Sequence, residues 1–353
     1  MMIEFDEYKY YPSLRTRAAE ILGLEKLSYQ VKEKILPIIT LGKWPRNEEI
    51  QTSFDKAINA MEGLPFILDV TKEEKHHCLS SKSLLSPEDN FSNWRSFCLQ
   101  KENVIPIIQM PDNAKLREIV QQARMIEKEK GRVAFRIKNI NTDVTKVISS
   151  LISLDNPERS IVFIDLGYVR GTVPIVASAA ITAINQLRNE IPELIISVLT
   201  TSFPNSVTNF CRENANYGYI DMLERELYQS IGGKNVVIYG DHSSIHSVVY
   251  DDMGGRYVPR IDIALDDAWY FERRPGVDSQ GYIDAAKSIL LKYPEYNENT
   301  SWGALMIRNA AKGDISGMGS PAKWIAVRVN QHITRQSELC EELEYTDYID
   351  DDF

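Results

Sequence analysis

Four charged residues stand at or near the ends of short β-branched runs, where a strand gives way to a loop. Arg136 and Lys138 close Arg132-Val-Ala-Phe-Arg-Ile-Lys138, Asp165 closes Ser160-Ile-Val-Phe-Ile-Asp165, and Asp241 follows Asn235-Val-Val-Ile-Tyr-Gly240. A carboxylate in such a place can serve as a general base or hold a divalent ion that activates water. Arginine and lysine beside it would stabilise negative charge on a phosphorylated ligand. Asp165, Asp241, Arg136 and Lys138 are therefore the candidate catalytic set. Asp69, near the end of Pro65-Phe-Ile-Leu-Asp-Val70, is a candidate ligand contact.

Histidine adds little. Asp165, Asp241 and His242 would make a mononuclear metal set if brought together. His242 and His246 are four apart but fall in a strand-to-loop segment, so helical ligand geometry does not follow. His76 and His77 sit among lysines and glutamates and read as solvated. No G-x-S-x-G elbow, HExxH pair or P-loop occurs.

The elements that would position these residues recur along the chain. Short runs at 35–41, 65–70, 104–109, 132–138, 160–165, 194–200, 235–240 and 260–265 read as strands. Segments of helical period lie between or after them, near 51–62, 91–102, 113–130, 142–154, 173–190, 205–231 and 279–293. In the clearest of these, Leu116, Ile119, Val120, Ala123 and Ile126 repeat at three and four. Strand–helix alternation demands a parallel sheet with right-handed crossovers. Eight runs match a (β/α)8 TIM-barrel-like fold, an α/β single domain with N-terminal and C-terminal helical additions. An open doubly wound sheet is the competitor, but no glycine-rich phosphate fingerprint follows the first run.

The boundaries follow. Residues 1–34 form an entry segment with helices packed on the barrel, 35–299 the barrel, 300–337 C-terminal helices and 338–353 an acidic tail. Strand parity then assigns faces. Val133, Phe135 and Ile137 pack on helices while Ala134, Arg136 and Lys138 point inward. In the last run, Arg260, Asp262, Ala264 and Asp266 would point inward by the same rule.

Loops after strands seven and eight commonly cradle phosphate in this fold. Here they would be Gly240-Asp-His-Ser-Ser244 and the segment from Asp266 to Arg274, where Arg273 and Arg274 could clamp an oxygen. Gly317-Met-Gly-Ser320, ahead of a helix start, offers a second anion nest. Trp269, Trp302 and Trp324 could stack on a base or cover the core.

Composition limits the classes. The chain of 353 residues carries a net charge of −10, and eight acids lie in the tail from Glu338 onward. The body is nearly neutral, which excludes a basic duplex-DNA binder. No apolar run approaches a membrane span. Four scattered cysteines imply no disulfide framework and point to the cytoplasm. The tail reads as solvated or as a docking peptide for a basic protein, with Tyr345, Tyr348 and Phe353 as anchors.

Several segments resemble the beta family proteins, which are met in bacterial genomes and phage-related elements. They are Tyr11-Pro-Ser-Leu-Arg-Thr-Arg-Ala-Ala-Glu20, Lys34-Ile-Leu-Pro-Ile-Ile-Thr-Leu41, Ile67-Leu-Asp69 and Tyr239-Gly-Asp241. Pro259-Arg260 followed by Trp269 and Arg273, and Trp324 through Asn330-Gln-His332, complete the likeness. It implies a compact barrel-like protein serving bacterium–phage conflict, and brings no activity with it. It also favours Asp69, Arg136, Asp165, Asp241, Arg260, Asn330 and His332 over other polar residues. Thr40 stands where the family pattern would place an acid closing the first strand.

Two functions compete. One is an anti-phage defence barrel that binds, and hydrolyses, a phosphorylated or nucleotide-like ligand at the C-terminal mouth. Asp69, Arg260, Asp266, Arg273, Asn330 and His332 would bind the ligand, with a divalent metal as the optional cofactor. The other is a non-catalytic sensor or protein-interaction subunit. No histidine pair lies at the first strands, which disfavours the lipid phosphodiesterases of this fold.

Overall fold

The computed structural model describes residues 4–213, 215–249 and 257–350, with side chains as far as Glu342. Its strands are β1 (Tyr10–Arg15), β2 (Ile38–Leu41), β3 (Phe66–Val70), β4 (Val104–Pro106), β5 (Val133–Ile137) and β6 (Ser160–Tyr168). They continue with β7 (Ile195–Thr201), β8 (Tyr217–Asp221), β9 (Ile238–Asp241), β10 (Arg260–Ala264) and β11 (Ala268–Arg273). The helices are α1 (Ala18–Glu25), α2 (Tyr29–Lys34), α3 (Ile50–Met61), α4 (Leu79–Leu84), α5 (Ser92–Cys98) and α6 (Leu116–Lys130). After them come α7 (Ile140–Leu151), α8 (Val173–Glu190), α9 (Leu223–Ile231), α10 (Gly281–Lys292), α11 (Trp302–Ala311) and α12 (Pro321–Asp350).

Eight strands pair in the order β4-β3-β2-β1-β9-β7-β6-β5, every neighbour parallel. A parallel bridge from Ile107 to Ala134, with the Ile108 N–H donating to the Ala134 carbonyl at 2.8 Å, joins the two ends. The sheet is a (β/α)8 barrel. Among the described residues no helix is long and apolar enough to cross a membrane.

The count of eight is right, but its membership differs from the sequence reading. Tyr10–Arg15, assigned to the entry segment, is the first barrel strand. Residues 260–264 leave the barrel and join an antiparallel sheet ordered β10-β11-β8. The segment 205–231, expected to be a helix with a break, contains β8 and then the short helix α9. Two insertions therefore build this small sheet, one after β7 and one after β9. Its Ile261 and Ile263 face α10, α11 and α12, while Ala264, Trp269 and Phe271 pack on Phe203 and Val207 beyond β7.

Side-chain alternation fills the barrel. Tyr11, Ile38, Ile67, Ile105, Ala134, Phe163 and Leu199 form an apolar plug within the ring. Val133, Phe135 and Ile137 face the helices, as parity required. Each fully buried side chain of this size stabilises the fold by about 1.5–3 kcal/mol. The plug closes the lower barrel, so only the C-terminal end is left for polar chemistry.

Local signals place the helices that support that end. In α6, Glu118 accepts from the Lys115 N–H at 2.7 Å, and Gly131 ends the helix at φ 67°. Its Gln122 exchanges two hydrogen bonds with the backbone of Gln109, fixing the loop after β4. Ahead of α7, Asp143 accepts from the N–H groups of Lys138 and Asn139, which sets the loop carrying Lys138.

Candidate functional site

Directly above the plug, the inward side chains turn polar. Arg136 on β5 is 6% exposed and lies at the centre of the ring. Its Nε donates to Asp165 Oδ2 at 3.0 Å, and its Nη2 lies 2.8 Å from the same oxygen. Nη1 donates to Asp69 Oδ2 at 3.1 Å and to Thr40 Oγ1 at 3.0 Å, and Nη2 also donates to Ser13 Oγ at 3.2 Å. A guanidinium has five N–H donors; four of them make hydrogen bonds here, and the Nη2 group is also drawn into the ion pair with Asp165. Five barrel strands are thereby tied through one side chain. Thr40, the departure from the family pattern, accepts here where an acid would have added charge.

The carboxylates are held from behind as well. Asp69 Oδ1 accepts from the Val70 N–H at 2.8 Å and from Gln109 Nε2 at 3.1 Å. Asp165 Oδ1 accepts from His242 Nε2 at 2.8 Å and from the Gly167 N–H at 3.1 Å. Burial opposes ionisation of Asp165, yet Arg136, His242 and Lys138 hold its carboxyl well below the usual range. Arg136 is raised, because its two carboxylates outweigh its burial.

A cavity of about 300 Å³ opens over this network, with Ser13, Arg15, Thr40, Arg136, Lys138, Asp165 and His242 in its walls. Lys138 has much of its surface open, yet the charge of Arg136, with desolvation second, lowers its pKa. It makes no ion pair among the described residues. Arg15 binds Glu20 through its Nε at 3.2 Å, while its buried Nη1 has no hydrogen-bond partner. A larger cavity of about 570 Å³ shares Arg15 and Thr40 and extends to Lys43, Trp44, Arg260 and Arg328.

The structure thus brings together Asp69, Arg136, Lys138 and Asp165. It separates Asp241. On β9, Ile238 and Gly240 face inward, so Asp241 faces the helices. It is 1% exposed and bonds Tyr10 at 2.7 Å, Tyr239 at 3.1 Å and His332 of α12 at 2.8 Å. Burial works against its charge, but His332 and the donors around it keep it below the ordinary carboxylate value. Asp241 and His332 together lock α12 to the barrel. The metal set of Asp165, Asp241 and His242 is therefore not assembled, and no cluster of three or more potential ligands occurs among the described residues.

Four more expectations change with the eighth strand. Arg260 faces Asp262 at 3.0 Å and lines the larger cavity and a separate one of about 260 Å³ that it shares with Arg273, but not the cavity over Arg136. Asp266 is exposed and pairs with Arg335 at 2.7 Å. Arg273 donates to Cys211 Sγ at 3.4 Å, and Arg274 pairs with Glu272 at 2.7 Å. All four lie in the insertion that follows β9, the eighth barrel strand in chain order, where the chain folds into the small antiparallel sheet and away from the polar network at the mouth. Asn330 bridges the Gly303 N–H and the Gly23 carbonyl, joining α12 to α11 and α1. Trp269 and Trp324 are buried core residues. The tail anchors Tyr345, Tyr348 and Phe353 lie outside the described side chains.

Sequence reasoning missed Ser13, Arg15, Gln109 and the pairing of His242. Alternation of Tyr11, Ser13 and Arg15 was the available signal, masked by Pro12 and the lack of β-branched residues in 10–15.

The comparisons fit this geometry. The sequence model of a family described as Beta protein matches residues 10–338, from the first barrel strand into α12. Protein beta of Enterobacteria phage P4 is 65% identical over 345 residues, covering 98% of this chain and 97% of that protein. By both measures, the chain belongs to the Beta protein family.

Proposed function

We propose that the chain binds a phosphorylated, nucleotide-like ligand at the C-terminal mouth of its barrel, within the conflict between phage and bacterium. One observation carries the reading. The ammonium of Lys138, without an ion-pair partner among the described residues, and the unpartnered Nη1 of Arg15 line the same cavity. A buried donor without an acceptor, as at Arg15 Nη1, is costly, and a phosphate oxygen would satisfy it while pairing with the charge of Lys138. Arg136 is not the clamp, because its donors are spent on the floor. The phage relative supports the setting, and four free cysteines support a reducing compartment such as the cytoplasm.

The Asp165–His242 pair favours hydrolysis of that ligand. A water would give a proton to His242 Nδ1 as its oxygen bonds to phosphorus. The ester oxygen would leave with the bonding electrons and take a proton from Lys138, whose lowered pKa makes it a better acid. The closed network around Arg136 favours a second reading, a non-catalytic sensor in which ligand binding is the whole event. A protein partner at the acidic end of α12 would belong to that reading.

The test is a thermal-shift screen of wild type against inorganic phosphate, nucleotides and sugar phosphates. A ligand at about 100 times its Kd adds about 2.7 kcal/mol, a shift of several degrees. Lys138→Ala and Arg15→Ala should each abolish most of it. A screen with no shift, or a shift that survives both changes, overturns the site.

A further inference from the structure

On the small antiparallel sheet, four tyrosines surround one cation. Tyr217 and Tyr219 alternate on β8 and so share a face, and Tyr270 on β11 is the direct cross-strand partner of Tyr219. Tyr293 follows the end of α10 and completes the group. Tyr270 is the floor, with ring centroids 6.0 Å from Tyr217, 5.1 Å from Tyr219 and 5.1 Å from Tyr293. The hydroxyls of Tyr219 and Tyr293 lie 2.8 Å apart and close the rim. Lys292, the last residue of α10, places its Nζ 4.4 Å from the Tyr270 centroid, 4.5 Å from Tyr217, 5.1 Å from Tyr219 and 6.0 Å from Tyr293.

We infer that this four-tyrosine cage is a binding site for a methylated or quaternary ammonium group, with Lys292 as its resident, displaceable occupant. Three features argue for a ligand over a structural pin. Lys292 makes no ion pair among the described residues, so four ring faces and a hydrogen bond to the Tyr219 hydroxyl hold it, and a quaternary cation would give up that one bond while keeping the rings. The spacing fits a methylated nitrogen: a methyl carbon rests about 3.5–4 Å from ring carbons and about 1.5 Å from its nitrogen, so the nitrogen stands up to roughly 5–5.5 Å from the ring, within the range that Lys292 Nζ spans. Lys292 is exposed while Tyr217, Tyr219 and Tyr293 are half-buried, so the occupant can swing away and leave an open cup. The rings also attract Arg212, 5.5 Å from Tyr219 and 5.9 Å from Tyr217, which shows how much negative π surface is gathered here. This site is separate from the barrel mouth and does not depend on the function proposed there.

The experiment titrates the full chain with tetramethylammonium and follows the tyrosine ring resonances. Wild type, Lys292→Ala and Lys292→Gln are compared, the last keeping the side-chain stem packed. Lys292→Ala should bind saturably and about tenfold more tightly than wild type, and adding Tyr219→Ala or Tyr293→Ala should reverse the gain. Choline and a trimethyllysine peptide then distinguish a free small molecule from a modified protein, and preference for either supports the site. Absence of saturable binding in all three folded chains overturns it.

Discussion

Asp165 Oδ1 lies 2.8 Å from His242 Nε2, and this contact decides which ring nitrogen carries the proton. The carboxyl stays ionised because its pKa is held down, so it can only accept, and Nε2 must donate. In the neutral ring Nδ1 is then the acceptor, on a side chain that lines the mouth cavity.

His242→Gln keeps an amide donor near Asp165 and removes the proton acceptor. For whichever phosphorylated compound shifts the wild-type melting temperature, the shift should persist in this variant. Phosphate release should fall by about 10²–10⁴-fold, the usual share of a general base. Release at the wild-type rate would exclude His242 as the base. A wild-type chain that binds without release would leave the sensor reading standing.

Arg136→Met should be among the most damaging single changes in the barrel. It strips Asp69 and Asp165 of a shared partner and leaves two buried carboxylates facing one another. Breaking a buried pair costs about 3–5 kcal/mol, readable as a lower urea midpoint at unchanged slope. Arg136→Lys should recover only part of this, since an ammonium cannot reach the four acceptors that the planar guanidinium engages. A loss near that of a surface arginine would show that the network contributes little.

Acid should remove the Asp165 contribution in a defined window. The folded carboxyl is depressed, whereas the unfolded one titrates near about 3.9. Between those values the unfolded chain holds more protons, so stability rises with pH there. The contribution is fully present above the unfolded value and fades as pH falls toward the folded one. Urea unfolding of wild type and Asp165→Asn should therefore differ by a constant amount above about pH 5, with the gap narrowing below about pH 4. A gap independent of pH would mean that the ionised form is not favoured by folding.

Much of this was legible in the sequence. Parity puts Arg136 and Lys138 on the inward face, because Val133, Phe135 and Ile137 are large apolar residues that share the other face of β5. The eighth run failed for a physical reason. Ile261 and Ile263 are as apolar as a barrel strand requires, but they are covered by α10, α11 and α12, and periodicity does not say which layer covers a face. Asp241 was misplaced because its run was read for its terminal acid instead of its alternation. Counted from Gly240, which must face inward, Asp241 falls outside. The Tyr217–Tyr293 cage needs β8 to meet β11 and the end of α10 across some fifty residues of chain, and no local pattern announces such a meeting.

Gly240 offers a direct test of the closed ring. A Cβ there would lie 2.6 Å from Leu199 Cδ2, 2.8 Å from Ser197 Oγ and 3.1 Å from the Tyr11 carbonyl oxygen. The first two belong to β7 and the third to β1, so β9 is wedged between its neighbours with no room for a methyl. Gly240→Ala should cost about 1–3 kcal/mol through forced shifts of those strands. Gly319→Ala is the control: nothing lies within 4 Å of its added Cβ. Its stability should stay within about 0.5 kcal/mol of wild type. If Gly240→Ala unfolds at the same urea concentration as the control, the seam joining β1, β9 and β7 is looser than a closed barrel allows.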